Sequence, residues 1–227
     1  MNVNARFFRM AAVCSLLSSV TTLLLIFLPE WFAPAPDFAA RMARVHETAY
    51  QLRSWVYLLH PFLVFTAAMG IALALRLRAP GLAIAGIAGF LLWAFNEIGQ
   101  QGLTLFAFDR WRLAWDGADA ATREAIRINT HLYDGIWDGM YMVLLIGFAI
   151  GNACLGSALV AAGGLARAAG GFMLAACALT LALFFNELNL PLLPAAVLDW
   201  SYPAIQPLGR ALIGVWLWRI ARDADAH

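Results

Sequence analysis

Residues 80–100 read PGLAIAGIAGFLLWAFNEIGQ, a long apolar run whose first charged residue is Glu97. An apolar run of this length predicts a helix that crosses a lipid bilayer. A carboxylic acid is expensive in hydrocarbon, about 2.5–3.5 kcal/mol for an Asp at a helix centre. We therefore expect Glu97 to belong to a buried polar site within the protein.

The triplet Phe-Asn-Glu that ends in Glu97 occurs a second time. Residues 91–100 (LLWAFNEIGQ) correspond to residues 181–190 (LALFFNELNL), and Glu97 and Glu187 are each followed twelve positions later by an aspartate. We interpret the match as an internal duplication of a helical hairpin, with the two copies related by an axis along the membrane normal. A chance triplet in an apolar background is the alternative.

Composition places the chain among integral membrane proteins. It is 63% hydrophobic, has a mean hydropathy of +0.74 and is only 13% charged, whereas soluble domains carry about 25% charged residues. A net charge of +1 without a basic cluster argues against nucleic acid as a partner. We predict a single all-α domain over residues 1–227, with the lipid bilayer as its surroundings.

Six membrane spans are predicted, at 10–28, 54–75, 80–107, 135–158, 169–190 and 202–219. The first is interpreted as an uncleaved helix rather than a signal peptide. Arginines concentrate at both termini and in the short connections near residues 76–78 and 167. Because arginine excess marks the cytoplasmic side, we predict a multi-pass protein of a bacterial-type inner membrane, with both termini in the cytoplasm.

Two long connections, residues 29–53 and 109–134, are predicted to face outward. Each is expected to contain an amphipathic helix that lies along the membrane interface, over 37–55 and 119–128. Asp119 is suited to cap the second of them. Tryptophans at the outer boundary complete the pattern of an interfacial belt: Trp31, Trp55, Trp111, Trp115, Trp137 and Trp200.

Polar residues in the spans cluster toward this outer side. Glu97 lies seventeen residues beyond Pro80, roughly 25 Å along the helix. The predicted catalytic residues are Glu97, Glu187, His60 and Asp138. The predicted ligand-binding residues are Arg210, Asn96, Asn186, Gln100, Gln101, Tyr202, Gln206, Trp137 and Tyr141. Arg210 is always protonated, so it is expected to pair with one of the glutamates or with an anionic ligand.

A divalent metal is a further hypothesis. His131, Asp134 and Asp138 have the spacing H-x-x-D-x-x-x-D, which places them on one face of a helix. Together with His60 they could bind Zn, Mn or Fe. His60 and His131 are the minimum for two axial haem ligands, and nothing else in the sequence favours haem.

Three functions remain open from the sequence. The first is a membrane-embedded enzyme or binder that takes a small amphiphile or lipid from the outer leaflet. The second is a proton-coupled transporter with the glutamates as proton carriers, and the third is a structural or assembly protein. No catalytic fingerprint such as G-x-S-x-G or H-E-x-x-H occurs, so the sequence assigns neither a reaction nor an oligomeric state.

The predicted topology is tested by Asp116→Cys and Asp225→Cys, each in a chain whose three native cysteines are replaced by alanine. We expect a membrane-impermeant maleimide to label position 116 from outside and position 225 from the cytoplasm. Labelling of position 116 from the cytoplasm alone would contradict the orientation.

Overall fold

The computed structural model describes residues 5–32 and 35–225, and the side chains of Ala195, Asp199, Tyr202 and Asp225 are not described. The described part is helical and contains no strand. Its α-helices are α1 (Ala5–Phe27), α2 (Phe38–Ala43), α3 (Thr48–Leu75), α4 (Pro80–Leu103), α5 (Asp109–Trp115), α6 (Ala120–Ala162), α7 (Gly164–Glu187) and α8 (Ala195–Asp225). Short 3-10 turns occur at Leu28–Trp31 and Arg44–His46.

Five stretches of the described chain are long and apolar enough to cross a membrane. They are Ala5–Trp31, Thr48–Leu75, Pro80–Trp115, Ala120–Ala162 and Gly164–Glu187. The protein is therefore an all-α helical bundle that fits a multi-pass membrane protein, as its composition predicts.

The two long connections differ from the sequence prediction. The expected amphipathic helix over 37–55 is broken, because residues 44–46 form a 3-10 turn and α3 begins at Thr48. The connection over 109–134 consists of α5 and the first turns of α6. Helix α6 alone is a continuous helix of 43 residues. The predicted cap is present: the backbone N–H of Thr122 donates to Asp119 Oδ1 at 2.8 Å, and this hydrogen bond lowers the pKa of Asp119.

A π-helical turn, Thr104–Phe108, joins α4 to α5 without a break in the helix. Such turns widen the helix locally and are frequent at functional sites. Here the turn brings Phe108 against Tyr133 of α6, with the two rings stacked 4.3 Å apart. It also sets the direction in which α5 presents its buried side chains, Asp109 and Arg112.

A helical cap covers one end of the bundle. We define the cap as residues 38–46 and 108–133, which comprise α2, the second 3-10 turn, α5 and the first turns of α6. Its small apolar core contains Met42, Phe108 and Ile126. Because α3 begins and α4 ends beside the cap, it lies opposite the α3–α4 turn at residues 76–79.

The buried core at the other end of the bundle is apolar, and a cavity of about 390 Å³ beside Arg76 and Arg78 opens at its edge. Leu75, Leu155, Leu159 and Leu217 are almost completely buried there, within one large core cluster. This distribution confirms the contrast between a polar and an apolar half that the sequence indicates.

Helices α4 and α6 approach each other closely through glycine. A Cβ atom at Gly89 would lie 2.5 Å from the backbone N of Gly151 and 2.8 Å from the carbonyl O of Gly147. Small residues at such crossings let the helix backbones pack in direct contact. This contact holds α4, and with it Glu97, against α6.

The helix contact predicts the effect of adding one methyl group. Gly89→Ala must push backbone atoms apart, so we expect it to lower the free energy of unfolding by about 1–3 kcal/mol. Gly102→Ala in the same helix meets no atom within 4 Å and should be stabilising by about 0.5–1 kcal/mol, since alanine favours helix. Thermal melting in detergent measures both changes, and equal melting temperatures would contradict the packing.

Candidate functional site

A cavity of about 380 Å³ lies in the cap half of the bundle, between α1, α3, α4, α6 and α8. We call it the deep cavity. Its polar wall is formed by Thr22, Arg53, Tyr57, His60, Glu97, Gln100, Gln101, Tyr141, Gln206 and Arg210. Its apolar wall is formed by Leu25, Ile26, Trp93, Trp137, Leu144, Leu145, Phe148 and Pro203.

Helical periodicity explains how two helices supply most of the polar wall. On α3, Arg53, Tyr57 and His60 are separated by four and three residues, so they share one face. On α4, the same rule aligns Glu97 with Gln100 and Gln101. The two faces meet across the deep cavity.

Side chains of α1, α3 and α8 hold Arg210 of α8 in place. Its guanidinium donates to Thr22 Oγ1 at 2.6 Å and to Gln206 Oε1 at 2.8 Å, and it also contacts His60 Nε2. These partners come from α1, α3 and α8 itself. Arg210 is therefore fixed in position before any ligand arrives.

The contact with Arg210 determines which nitrogen of the His60 ring carries the proton. A guanidinium only donates hydrogen bonds, so Nε2 of His60 accepts and the ring proton lies on Nδ1. That nitrogen lies 2.6 Å from Thr21 Oγ1, whose hydroxyl donates to the carbonyl of Ser18 at 3.1 Å. Both ring nitrogens are therefore engaged, and His60 positions Arg210.

Glu97 differs from Arg210 in having no fixed partner. Its side chain is 7% exposed, and among residues 5–32 and 35–225 no hydrogen bond or salt bridge to it is formed. Arg210 and Arg53 act on it only through longer-range electrostatic attraction. The predicted ion pair between Arg210 and a glutamate is thus not formed. Arg210 and Glu97 instead face the same cavity without a hydrogen bond between them.

A second cavity, of about 520 Å³, lies beneath the cap. We call it the cap cavity. It is lined by Arg41, Arg44, Tyr50, Arg53, Ser54, Gln101, Thr104, Phe108, Arg112, Tyr133, Asp134, Trp137 and Asp138. Arg53, Gln101 and Trp137 line both cavities, so these three side chains form the wall between them.

Arg112 is the most deeply buried arginine of the cap cavity, with 4% exposure. It donates to Asp109 Oδ1 at 2.9 Å and to the hydroxyl of Tyr50. Its guanidinium lies 4.2 Å from the ring centroid of Phe108, and Gln51 Nε2 donates to the other oxygen of Asp109 at 3.3 Å. The pair fastens α5 to α3.

Arg41 joins α2 to α6 through a second ion pair. Its two Nη atoms donate to both carboxylate oxygens of Asp134, one of them at 2.8 Å. These hydrogen bonds raise the pKa of Arg41 above its ordinary value. A bidentate pair of this kind fixes the orientation of both partners.

Most of the predicted site residues meet at these cavities. His60, Glu97, Gln100, Gln101, Trp137, Tyr141, Gln206 and Arg210 line the deep cavity. Asp134 and Asp138 line the cap cavity instead. The sequence therefore located the polar region, whereas its division into two cavities was not predicted.

Glu187 does not join Glu97. It is exposed, as is Asn186, because α7 ends at Glu187 and the chain then turns. Glu97, by contrast, lies within a helical stretch that continues to Trp115. The prediction that both glutamates face a shared pocket is wrong for this reason: identical triplets occupy different positions along their helices.

Two other predicted residues, Asn96 and His131, lie outside both cavities. Asn96 is buried but donates to the carbonyl of Leu92 at 2.8 Å and lines neither cavity. His131 is exposed. The side chain of Tyr202 lies outside the described residues.

The predicted metal ligands are not assembled. Among the described residues, no group of three or more His, Cys, Asp or Glu side chains is placed to hold a metal ion. Asp134 is engaged by Arg41, and both ring nitrogens of His60 have partners. The described residues therefore do not fit a divalent metal or a haem at this site.

Arg53, Tyr57, Trp93 and Arg112 were missed at the sequence level. Arg53 and Tyr57 were recoverable, because they precede His60 at helical spacing on one face. Arg112 carried no such signal, because its burial depends on the π-helical turn and on the packing of α5 against α3.

Comparison of the chain with protein-family models, with curated proteins and with solved structures finds no match in any of the three. The site is therefore interpreted from its geometry alone.

Two buried carboxylates on the α4–α5 stretch provide a matched test. Asp109→Asn removes one partner of a buried, hydrogen-bonded ion pair, so it should cost about 3–5 kcal/mol of stability. Glu97→Gln breaks no direct bond and should cost far less. Melting curves in detergent compare the two, and a similar large loss for both would show that Glu97 is a structural partner.

Proposed function

We propose that the protein is a membrane-embedded binder, or an enzyme, that takes the polar head of a small anionic amphiphile into the deep cavity. The observation that carries this proposal is the mixed wall of that cavity. Arg53, Arg210 and Glu97 face the same space as Trp93 and Phe148. Ligand sites typically combine a largely apolar lining with a few oriented polar groups.

The charges favour an anionic head. Two arginines face one glutamate in the wall, and one of these arginines, Arg210, is already held by Thr22 and Gln206. A cation fixed in advance loses little entropy when it binds an anion. Arginine is also the side chain best suited to bidentate binding of a carboxylate or phosphate.

Glu97 is the residue that we propose for chemistry. It reaches the cavity without a hydrogen-bonded partner among the described residues, so it is available to accept a proton from a bound ligand or return one. General acid–base residues must lie within hydrogen-bonding reach of the reacting proton. His60 supports this site indirectly, because it holds Arg210.

The proposal includes a membrane orientation and one span more than the five candidate spans of the bundle. We propose that α8 is the sixth span, that both termini are cytoplasmic and that the membrane is a bacterial-type inner membrane. The arginines at residues 76–78 and 167 support this orientation. The hairpins α3–α4 and α6–α7 each place a Phe-Asn-Glu triplet in their second helix, which supports an internal duplication.

The transporter and scaffold alternatives have less support. A proton-coupled transporter needs a polar route through both halves of the bundle, and the buried core of the half beside the α3–α4 turn consists of apolar side chains such as Leu155 and Leu217. A purely structural role would be expected to give Glu97 a bonded partner. Ligand binding at the deep cavity explains both its mixed polar and apolar lining and the position of Glu97, which these alternatives leave unexplained.

The proposal is tested by photolabelling in phosphatidylcholine nanodiscs with a fatty acid that carries a diazirine beside its carboxylate. We expect peptide mapping to find label on Tyr57 and Trp93, which line the deep cavity. Unlabelled fatty acid should compete strongly and the matching fatty alcohol weakly. Label confined to lipid-facing residues such as Ile84 and Phe95, which are 72% and 74% exposed, would refute binding in the cavity.

Charge variants of the cavity wall test whether the bound head is anionic. Glu97→Gln removes a negative charge from the wall, so the affinity for the fatty acid should rise several-fold. Arg53→Gln should lower it, whereas Arg110→Gln, an equal charge change at an exposed position of α5, should leave it unchanged. A lower affinity in Glu97→Gln would contradict an anionic head.

A further inference from the structure

The cap cavity is a second site with its own chemistry. We propose that it binds a phosphate group, either free or in the headgroup of a lipid. This site goes beyond the amphiphile site of the deep cavity and does not require that the deep cavity be occupied.

The arginines of the cap cavity converge from four separate elements. Arg41 comes from α2, Arg44 from the 3-10 turn, Arg53 from α3 and Arg112 from α5. Among the described residues, the acids that line the same space are Asp134 and Asp138. Arg41 already binds Asp134, and Arg112 already binds Asp109 behind the lining. The other charges of the lining are Arg44 and Arg53 against Asp138, so the cavity keeps an excess of one positive charge.

Two of these arginines have a donor without an acceptor. The Nε atoms of Arg53 and Arg112 are buried and have no hydrogen-bond partner among the described residues. Buried polar atoms in folded proteins are nearly always satisfied, and an exception calls for an explanation such as a ligand or ion. Both side chains border the cap cavity, where a bound anion would supply the acceptors.

The arrangement fits phosphate better than carboxylate. A carboxylate is planar and offers two oxygens, whereas a phosphate presents oxygens in several directions. Guanidinium groups that approach from different helices match the second shape, and arginine binds phosphate oxygens bidentately. Neutral polar side chains, including Ser54 and Gln101, extend the hydrogen-bonding wall.

The position of the cavity is compatible with both sources of phosphate. The cap lies at the end of the apolar helices, at the level expected for lipid headgroups. The cavity also borders the deep cavity through Arg53, Gln101 and Trp137. A lipid phosphate and a soluble phosphate would use the same arginines, so experiment must separate them.

The first experiment measures thermal stability of the protein in a phosphate-free, nonionic detergent. A ligand that binds only the folded state raises the melting temperature in a saturable manner. We expect this rise with sodium phosphate and not with sodium chloride or sodium acetate of equal ionic strength. Equal shifts in all three salts would overturn the proposal.

Charge variants test whether phosphate binds in the cap cavity. Arg53→Gln should weaken phosphate binding tenfold or more, whereas the exposed control Arg110→Gln should bind as the natural chain does. Asp138→Asn removes an acid that lines the cap cavity alone, so it should strengthen phosphate binding several-fold. If Arg53→Gln fails to fold, the phosphate affinity of Asp138→Asn decides whether the site exists. An unchanged or lower affinity in Asp138→Asn would refute the site.

The source of the phosphate is decided in nanodiscs. If the ligand is a lipid headgroup, phosphatidic acid in phosphatidylcholine discs should raise the melting temperature and abolish the further effect of free phosphate. If it is free phosphate, phosphatidic acid should leave that effect intact. Either result supports the site, and no response to either compound overturns it.

Failure of this site is distinguishable from failure of the deep cavity. Glu97→Gln should change fatty acid labelling and leave the phosphate response intact. Asp138→Asn should change the phosphate response and leave the labelling intact. If both variants altered both readouts equally, the two cavities would be one site and the proposal of a separate phosphate site would be wrong.

Discussion

The fixed position of Arg210 is the constraint around which the polar half of the bundle is built. A guanidinium cannot lose its charge inside a membrane protein, so it must be surrounded by acceptors. Thr22, His60 and Gln206 supply them from α1, α3 and α8. These hydrogen bonds tie the first, second and last long helices together on one side of the deep cavity.

The opposite side of the deep cavity depends on close packing rather than on hydrogen bonds. Gly89 lets α4 approach the backbone of α6 at Gly147 and Gly151. That contact leaves Glu97 facing the space that Arg210 also faces. A carboxylate and a cation thus remain apart across a cavity, and this separation makes Glu97 available to a ligand.

The cap adds a second layer of charge to the same half. Its buried pair, Asp109 with Arg112, and its partly exposed pair, Arg41 with Asp134, attach α5 and α2 to the bundle. The π-helical turn at Thr104–Phe108 orients the first pair. Arg53 lies between the two cavities, and its charge contributes to both.

The sequence by itself determined the helical membrane fold, the short connections near residues 76–78 and 167, and the polar half of the bundle. These features follow from local rules, namely apolar run length, arginine position and helical periodicity. The same rules place His60, Glu97, Gln206 and Arg210 in the polar half from the sequence alone.

Only the tertiary structure decided which helix faces meet. It separated Glu187 from Glu97, because α7 ends where α4 continues. It also replaced the expected glutamate pair of Arg210 by His60 and two neutral side chains, and it buried Arg112. The point at which a helix ends, and the presence of a π-helical turn, depend on packing against residues distant in sequence. Periodicity along one helix carries no information about that packing.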